Sequence, residues 1–371
     1  MKIALFFDIF NELGGAEKFA ILLAKKLKAD IYTTYVNWDL FKDELKGLKV
    51  KEIGLTFKNH KLLTYSEIAF RFSRLKIKNY DFYLFTRLYC ISASKNHHPN
   101  LWLSCSPIRA VYDLHDFIYK NLSWWQKPIF KLWCLIYRYF DRKWVFNFDK
   151  ITANSKNVAK RFKKYYGLDV PVTYHPVEVE KYRYKEPEDY YFAPGRFVKE
   201  KRIDLIIEAF KEMPDKKLII SGDGPERERL KKLAEGCKNI QFVGNCTSEK
   251  MIELYSKCIA TIYMPINEDY GLVPIESMAS GKPCIAANEG GPKETIIHGK
   301  TGFLIKADKE EIKRWVNYLT PDVARSMKDD CLKRAKKFNV DIFIKKIKRI
   351  MRKLRNEKKI WRNWKNFIKK I

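Results

Sequence analysis

The sequence predicts an α/β protein built from two doubly wound, Rossmann-like domains that are followed by a basic helix. The length of 371 residues suits two domains at roughly 100–200 residues each. A hydrophobic fraction of 46% supplies two buried cores, which excludes a disordered chain. Short apolar runs alternate with amphipathic helical patterns in both halves, and this alternation is typical of parallel sheets covered by helices.

The first domain is predicted to span residues 1–180. It opens with a buried strand, passes through a polar loop into an amphipathic helix, and returns as a second strand. Ser155 is predicted to cap the helix after the last strand, because its hydroxyl can accept from a free amide. The predicted elements are strands at 2–7, 30–34, 82–85, 102–103 and 150–154, and a helix at 16–27.

The second domain is predicted to span residues 189–340, after a charged linker that contains Pro187. It alternates five times between an apolar run, a polar loop and a helical pattern. Ligands of such sheets bind beyond the carboxyl ends of the strands, so the polar loops are predicted to carry the functional residues. The predicted strands are 190–193, 217–221, 240–243, 259–264 and 283–287.

The final segment, 341–371, is predicted to be a basic amphipathic helix. It holds 13 Lys or Arg against Asp341 and Glu357, a net charge of +11 (13 minus 2). One interpretation packs its apolar stripe on the first domain as far as Leu354. The other places residues 358–371, together with the aromatic and basic stretch 124–133, on an anionic membrane surface. The stripe consists of Ile344, Ile347, Met351, Leu354, Trp361, Trp364 and Ile368.

The net charge of +29 favours polyanionic partners such as a membrane surface, phosphorylated substrates or nucleic acid. The nucleic-acid interpretation is the weakest, because no helix-turn-helix, zinc-finger, RRM or KH pattern is visible. No uncharged apolar run approaches about 18 residues, which predicts peripheral membrane contact at most. Scattered cysteines and the lack of a secretory signal predict a cytoplasmic protein with free thiols.

Two glutamates mark the loop and helix after the predicted strand 259–264. Glu268 lies in the loop, and Glu276 lies early in a helix that opens near Val273. Gly271 lets the amides of Leu272 and Val273 approach a ligand closely, and free amides at a helix start attract an anion such as a pyrophosphate. The alternative is a solvated loop glutamate and a helix glutamate favoured by the dipole.

A basic turn follows the predicted strand 190–193. Arg196 and Lys201 lie there beside Lys199 and Arg202, and such side chains bind phosphate. The alternative is a solvated turn. No Asp-x-Asp pair or histidine cluster suits a metal, so neither a metal nor any other cofactor is expected. Another glycine loop, at Gly14 and Gly15, is a weak phosphate-cradle pattern. The stretch 222–225 is interpreted as an ordinary tight turn.

These motifs, in this order, resemble family 4 of the glycosyltransferases. That family has the GT-B architecture, in which two Rossmann-like domains face each other across a cleft. The resemblance is densest between residues 190 and 305. The matching residues are Gly14 to Glu17, Gly195-Arg196 with Lys201, Ser221 to Pro225, Phe242 to Gly244, Glu268 with Glu276, and Pro283 through Phe303.

The resemblance implies a retaining, metal-independent transferase that uses a nucleotide-sugar, a GDP- or UDP-hexose. It implies that Arg196 and Lys201 hold the donor diphosphate. Glu276 would hold the ribose, and Glu268 would face the transferred sugar. The loop of Gly14 and Gly15 would approach the diphosphate and the acceptor.

A further stretch, 104–113, is similar to one in mannosyltransferases that build bacterial and archaeal surface polysaccharides. Arg109 and Asp113 match that pattern, but Cys105 replaces a histidine that lines the family's donor-sugar pocket. His115 is a candidate substitute. The resemblance therefore implies mannose transfer to a lipid-linked or polysaccharide acceptor. The alternatives are a UDP-dependent glucosyl- or galactosyltransferase and a non-catalytic nucleotide-sugar binder.

Overall fold

The computed structural model describes residues 1–12, 14–58 and 60–368, and the chain divides into two compact units. The first unit comprises Met1–Tyr174 together with the chain from Ile344 onward. The second unit comprises His175–Phe343. Each unit is built around one parallel sheet with helices on its faces.

The first sheet has six parallel strands in the order β3-β2-β1-β4-β5-β6. Its central strands are buried on both faces, as expected for apolar runs in a parallel sheet covered by helices. The strand order reverses between β1 and β4, and ligands of such sheets bind at that reversal. The strands are β1 (Ile3–Phe6), β2 (Asp30–Thr33), β3 (Val50–Glu52), β4 (Phe82–Phe85), β5 (Asn100–Ser104) and β6 (Lys150–Ala153).

The helices of the first unit connect successive strands. The predicted cap of the helix after β6 is confirmed, because the Ser155 hydroxyl accepts from the amide of Val158 at 3.0 Å. These helices are α1 (Gly15–Leu27), α2 (Trp38–Phe41), α3 (Lys61–Arg74), α4 (His115–Asn121), α5 (Gln126–Val145) and α6 (Lys156–Tyr166), with a 3-10 segment at Cys90–Asn96.

The second sheet repeats the same pattern, with six parallel strands in the order β9-β8-β7-β10-β11-β12. Its order reverses between β7 and β10. The loops that follow these two strands therefore meet at the switch point of the sheet. The strands are β7 (Tyr191–Pro194), β8 (Leu218–Ser221), β9 (Ile240–Gly244), β10 (Thr261–Tyr263), β11 (Cys284–Ala287) and β12 (Gly302–Ile305).

Helices follow the five predicted strands of the second unit, as the predicted alternation requires, whereas β12 and the three helices of this unit that come after it were not predicted. The α-helices are α7 (Ile203–Lys211), α8 (Arg227–Leu233), α9 (Ser248–Lys257), α10 (Val273–Ala279), α11 (Pro292–Thr295), α12 (Lys309–Tyr318), α13 (Pro321–Ser326) and α14 (Lys328–Ala335). Short 3-10 turns lie at Val179–Lys181, Lys199–Lys201 and Lys336–Phe338.

The segment between the two sheets belongs to the second unit from His175, whereas the sequence places the end of the first domain at residue 180. The difference has a local cause, because the amide of Val177 donates to the carbonyl of Phe338 in the second unit at 2.9 Å. The ring of Tyr182 lies 6.0 Å from that of Tyr255, and the amide of Lys185 donates to the carbonyl of Ser256 at 3.1 Å. These contacts attach the charged linker to α9.

The final helix, α15 (Val340–Ile368), joins the first unit from Ile344, whereas the sequence sets residues 341–371 apart. Ile347 and Met351 are fully buried. The Lys346 ammonium donates to the carbonyl of Val172 at 2.7 Å. The early half of the apolar stripe is therefore core of the first unit. Residues 369–371, at the end of the proposed membrane segment, lie outside the described residues. Across the described ranges, no helix is long and apolar enough to cross a membrane.

Candidate active site

Three polar side chains meet at the switch point of the second sheet. Lys201 ends the 3-10 turn after β7, Tyr263 ends β10, and Glu268 lies in the loop after β10. The Lys201 ammonium is ion-paired with Oε2 of Glu268 and donates to the Tyr263 hydroxyl at 3.2 Å. The Tyr263 hydroxyl donates to the same Oε2 at 2.8 Å. The structure thus brings together two of the predicted residues, Lys201 and Glu268.

The three side chains of this cluster are largely buried, and burial affects the pKa of Tyr263. The side chains of Lys201 and Glu268 are only 18% and 16% exposed. Burial, and then the charge of Glu268, raises the pKa of Tyr263 well above its ordinary value. The phenol therefore stays protonated and remains a hydrogen-bond donor at neutral pH. The site combines a fixed cation, a carboxylate and a neutral donor in one cluster.

Two glycines after β11 hold the backbone of Glu268. The amide of Gly291 donates to the Glu268 carbonyl at 2.8 Å. A Cβ atom on Gly290 would lie 2.2 Å from that carbonyl oxygen, and Gly290 has a φ of +59°. Only glycine allows this close approach. Sequence reasoning did not identify these glycines as residues that position Glu268.

Glu289, in the loop after β11, connects two other loops of the site. The Arg202 guanidinium contacts Oε1 of Glu289 at 2.8 Å, and the other oxygen of Glu289 accepts from the amide of Asn267 at 2.9 Å. Glu289 therefore ties the turn after β7 to the loop after β10. Sequence reasoning missed this role, because Glu289 reads as an ordinary loop residue.

The turn that carries Arg196 rests on the loop after β8. The amide of Gly195 donates to the Ser221 carbonyl at 2.9 Å. A Cβ atom on Gly222 would lie only 1.8 Å from the carbonyl oxygen of Gly195. The stretch 222–225, interpreted from sequence as an ordinary turn, therefore also fixes the position of the basic turn. The Arg196 side chain itself is exposed.

Glu276 lies on α10 and is held by aromatic hydroxyls. The Tyr255 hydroxyl donates to Oε2 of Glu276 at 2.6 Å. A hydrogen bond from Tyr182 reaches the same carboxylate, and burial followed by the charge of Glu276 raises the pKa of both phenols. These bonds fix the orientation of the carboxylate.

Three of the predicted residues lie at the N-terminus of α10. Gly271 has a φ of +81° and is buried. Leu272 is the N-cap and supplies no side-chain cap, and Val273 begins the helix. The side chain of Leu272 therefore makes no hydrogen bond to the first amides of α10. Free amides at the start of a helix can bind an anion.

The glycine loop of the first unit opens α1. Gly14 is the N-cap and Gly15 is the first helical residue. A Cβ atom on Gly14 would lie 2.7 Å from Oε2 of Glu17, the end of a flexible side chain that can move away. Both glycines lie at the switch point of the first sheet, because the loop follows β1.

Arg87, after β4, lies at the same switch point, and sequence reasoning missed it. Its guanidinium lies 3.8 Å from Glu17 and 4.0 Å from the buried carboxylate of Asp8. Burial alone would lower the pKa of Arg87, but the two carboxylates raise it above its ordinary value. No sequence motif marks this residue, since its partners are distant in sequence.

The segment of the predicted sugar pocket is built around Asp113. The Arg109 Nε donates to Oδ2 of Asp113 at 3.0 Å, and Arg161 of α6 lies 3.4 Å from the same oxygen. Cys105 lies after β5, where its thiol is 3.9 Å from the Thr86 carbonyl. Arg109 and Asp113 are thus brought together as an ion pair.

His115 begins α4, and its contacts are with other side chains of the first unit. Its Nδ1 lies 2.9 Å from Oδ1 of Asp116, and its ring is stacked 5.4 Å from Phe130. Over the part of the chain that the structure describes, no group of three or more His, Cys, Asp or Glu side chains is arranged to hold a metal ion.

Comparison with known proteins gives one family match. Residues 176–338 match the family model described as Glycosyl transferases group 1. The chain is 27% identical over 246 residues to alpha-1,3/1,6-mannosyltransferase ALG2 of Homo sapiens, a match that covers 56% of this chain and 59% of ALG2. It is 26% identical over 226 residues to an uncharacterized glycosyltransferase of Methanocaldococcus jannaschii, covering 58% and 63%. These matches span about three fifths of the length of both relatives.

Solved structures share the fold over nearly the whole chain. The Anabaena protein HepE, in complex with UDP and glucose, has a TM-score of 0.74 at 17% identity and covers 95% of this chain and 99% of its own. Sucrose-phosphate synthase from Thermosynechococcus elongatus has a TM-score of 0.76 at 18% identity, with 95% and 98% covered. The predicted fold class is confirmed, and the predicted resemblance to glycosyltransferases is confirmed over residues 176–338.

Proposed function

We propose that this chain, whose residues 176–338 form a group 1 glycosyltransferase domain, transfers a hexose from a nucleotide-sugar to a lipid-linked or polysaccharide acceptor. The transfer retains the anomeric configuration. Mannose is the favoured sugar, because the human and Schizosaccharomyces pombe relatives are named mannosyltransferases. The observation that carries the proposal is the cluster of Lys201, Tyr263 and Glu268 at the switch point of the second sheet.

The leaving group explains the need for Lys201. Breaking the anomeric C–O bond leaves negative charge on a nucleoside diphosphate, and a fixed cation stabilises that charge without reorganising. Lys201 is held by Glu268 and Tyr263, so its ammonium is already positioned before a donor binds. The exposed Arg196 on the same turn supplies a second cation.

Glu268 is suited to the sugar side of the reaction. The transferred sugar acquires oxocarbenium character, which a nearby carboxylate stabilises. Tyr263 and Lys201 both contact this carboxylate and fix its position. In the front-face route, the leaving phosphate takes the proton of the acceptor, so no second catalytic carboxylate is required.

The remaining donor contacts belong to the same proposal and follow the roles that the family resemblance implies. Glu276 would accept from the ribose hydroxyls, because its carboxylate is oriented by Tyr255. The amides of Gly271, Leu272 and Val273 would receive the diphosphate at the start of α10. Gly14 and Gly15 would let the first-unit loop approach the diphosphate and acceptor. In the same proposal, Cys105, Arg109, Asp113 and His115 line the sugar or acceptor pocket.

The two glutamates are expected to separate in a binding experiment. Glu276→Ala should weaken binding of the donor nucleotide by about 1.5–3 kcal/mol, because a charged hydrogen-bond partner is lost. Glu268→Gln should spare nucleotide binding and depress transfer. Calorimetric titration with UDP and GDP measures both. Tyr255→Phe, which removes the bond that orients Glu276, serves as the milder matched variant. Equal losses of binding in the two glutamate variants would contradict the division of roles.

Transfer is expected to persist in excess EDTA. The proposed mechanism neutralises the diphosphate with Lys201 and Arg196, so chelation removes nothing that the reaction uses. The measurement is the rate of transfer with and without EDTA, with a metal-dependent transferase as the positive control for chelation. Loss of transfer in EDTA, restored by Mg²⁺ or Mn²⁺, would contradict this assignment.

Two alternatives concern the donor and the activity. A UDP-dependent glucosyl- or galactosyltransferase is favoured by the neighbour HepE, which was solved with UDP and glucose. A non-catalytic nucleotide-sugar binder is favoured by Cys105 in place of the family histidine. A thermal-shift screen of UDP-, GDP- and ADP-sugars, followed by a donor-hydrolysis assay, separates these cases. Stabilisation by GDP-mannose together with its hydrolysis would support the proposal, and stabilisation without hydrolysis would contradict it.

The proposed place of action is the cytoplasmic face of an anionic membrane, where a lipid-linked acceptor would be presented. The net charge of +29 and the basic segment from Lys358 onward support this placement. No nucleic acid takes part in the proposed reaction.

A further inference from the structure

Helix α5 is apolar on two opposite faces. One face is buried in the first unit through Phe130, Cys134, Tyr137 and Val145. The opposite face, together with the two residues before the helix, is exposed to solvent, and we call this surface the outer face of α5. It consists of Trp124, Trp125, Ile129, Leu132, Leu135, Ile136, Tyr139 and Phe140.

The outer face is a continuous stripe rather than scattered residues. Ile129, Leu132, Ile136 and Tyr139 follow the spacing i, i+3, i+7 and i+10, which places them on one side of a helix. Trp124 is 83% exposed, and Leu135 is 65% exposed. Contiguous exposed apolar surface of this kind marks an interaction site.

The helix is pinned by its inner face, so it cannot roll to hide this stripe. The hydroxyls of Tyr112 and Tyr166 donate to the buried carboxylate of Asp141 at 2.7 and 2.6 Å. The Arg138 guanidinium donates to the Val111 carbonyl at 2.9 and 2.6 Å. The exposure of the outer face is therefore a fixed property of the first unit.

The exposed charges that α5 itself carries have one sign. Lys131 and Arg142 are exposed along one border, and Lys143 lies within the stripe over the ring of Tyr139 at 4.1 Å. The one acidic residue of the α5 sequence, Asp141, is buried on the inner side. An apolar stripe with tryptophan and tyrosine, whose exposed charges on the same helix are all cations, has the composition of a helix that lies in a lipid headgroup region.

We propose that the outer face of α5 docks on an anionic membrane surface, with its aromatic and aliphatic side chains in the headgroup region and Lys131 and Arg142 on lipid phosphates. A second copy of this chain fits less well. Pairing two outer faces would bring cations of like sign together with no exposed acid on α5 to offset them. The docking rests on the proposed function only for its purpose, which is access to a lipid-linked acceptor.

Vesicle co-sedimentation of the full chain tests the docking. The probes are phosphatidylcholine vesicles with and without phosphatidylglycerol, at low and high salt. Binding should require the anionic lipid and weaken in high salt. Leu132→Gln with Ile136→Gln should lower the fraction bound by at least about tenfold, because two aliphatic contacts with the headgroup region are lost.

The matched control is Ile297→Gln with Ile342→Gln, which removes two exposed isoleucines from the second unit. This control should bind vesicles as the wild type does. Lys131→Gln with Arg142→Gln should weaken binding at low salt and have little effect at high salt. Wild-type binding by the Leu132 and Ile136 variant, or equal binding to neutral and anionic vesicles, would overturn the proposal.

Light scattering tests whether a second copy of this chain, rather than a membrane, covers the outer face of α5. A wild-type dimer that the Leu132 and Ile136 variant converts to monomer would assign the outer face to a second copy and overturn membrane docking. Donor hydrolysis without vesicles separates this inference from the proposed function. Hydrolysis that survives in a variant unable to bind vesicles leaves both standing, whereas vesicle binding by a wild type without transfer or hydrolysis contradicts the function alone.

Discussion

Replacing Lys201 with alanine is expected to lower the rate of sugar transfer by about 10²–10³-fold, the effect typical of losing one preorganised group that stabilises developing charge. In free energy this corresponds to about 2.7–4 kcal/mol of transition-state stabilisation. Lys201 is the cation fixed between Glu268 and Tyr263 at the switch point, so no neighbouring side chain occupies its position. The measurement is kcat/KM for transfer, with the melting temperature recorded in parallel.

Lys306→Ala is the matched control for this variant. Lys306 follows β12 at the same edge of the sheet, and its side chain is 82% exposed. It should retain wild-type transfer. If Lys201→Ala transfers at a near wild-type rate, or if both variants lose transfer equally, Lys201 does not stabilise the leaving group.

Gly290→Ala is expected to lower transfer by about 10²-fold, the cost of misplacing a reacting group by roughly 1 Å. The new Cβ atom would lie 2.2 Å from the Glu268 carbonyl oxygen and 2.6 Å from its nitrogen. Both are backbone atoms, so the loop that carries Glu268 must move as a whole. Nucleotide binding through Glu276 should be retained, because α10 is held separately by Tyr255.

Gly299→Ala isolates the collision from the backbone strain. Gly299 has a φ of +77°, close to the +59° of Gly290, but a Cβ atom there meets nothing within 4 Å. Both variants carry the cost of a left-handed alanine, which is about 1–2 kcal/mol. Only Gly290→Ala should lose transfer, and parallel rate and melting measurements of the two variants decide the matter. Equal activity in both would show that the position of Glu268 is not critical.

Most strands of the second unit can be predicted from sequence, because each of these buried strands is a short apolar run bounded by polar loops. The predicted strand 240–243 differs from β9 (Ile240–Gly244) by one residue, and the other four predicted strands of this unit end within one residue of β7, β8, β10 and β11. The sixth strand, β12 (Gly302–Ile305), was missed. In the first unit, β3 (Val50–Glu52) was missed. It is an edge strand with exposed side chains at Lys51 and Glu52, so it carries no apolar signal.

The bounds of helix α5 (Gln126–Val145) were not predicted, since the sequence interpretation took only the stretch 124–133 as a membrane-facing segment. In the candidate site, Lys201 and Glu268 were predicted at the same sheet edge, but their contact joins residues 67 positions apart. Tyr263 was missed because the last aromatic of a strand reads as core. Such contacts depend on strand order, which local patterns do not encode.

The path of α15 also has a consequence for the order in which the protein is made. Ile347 and Met351 complete the core of a unit whose other residues end at Tyr174, so the first unit cannot finish folding when its own sheet leaves the ribosome. At about 5–20 residues per second, the wait for α15 is on the order of 10–40 seconds. During that interval its apolar docking site for the helix is uncovered. The second unit, continuous from His175 to Phe343, is the one that can fold completely during synthesis.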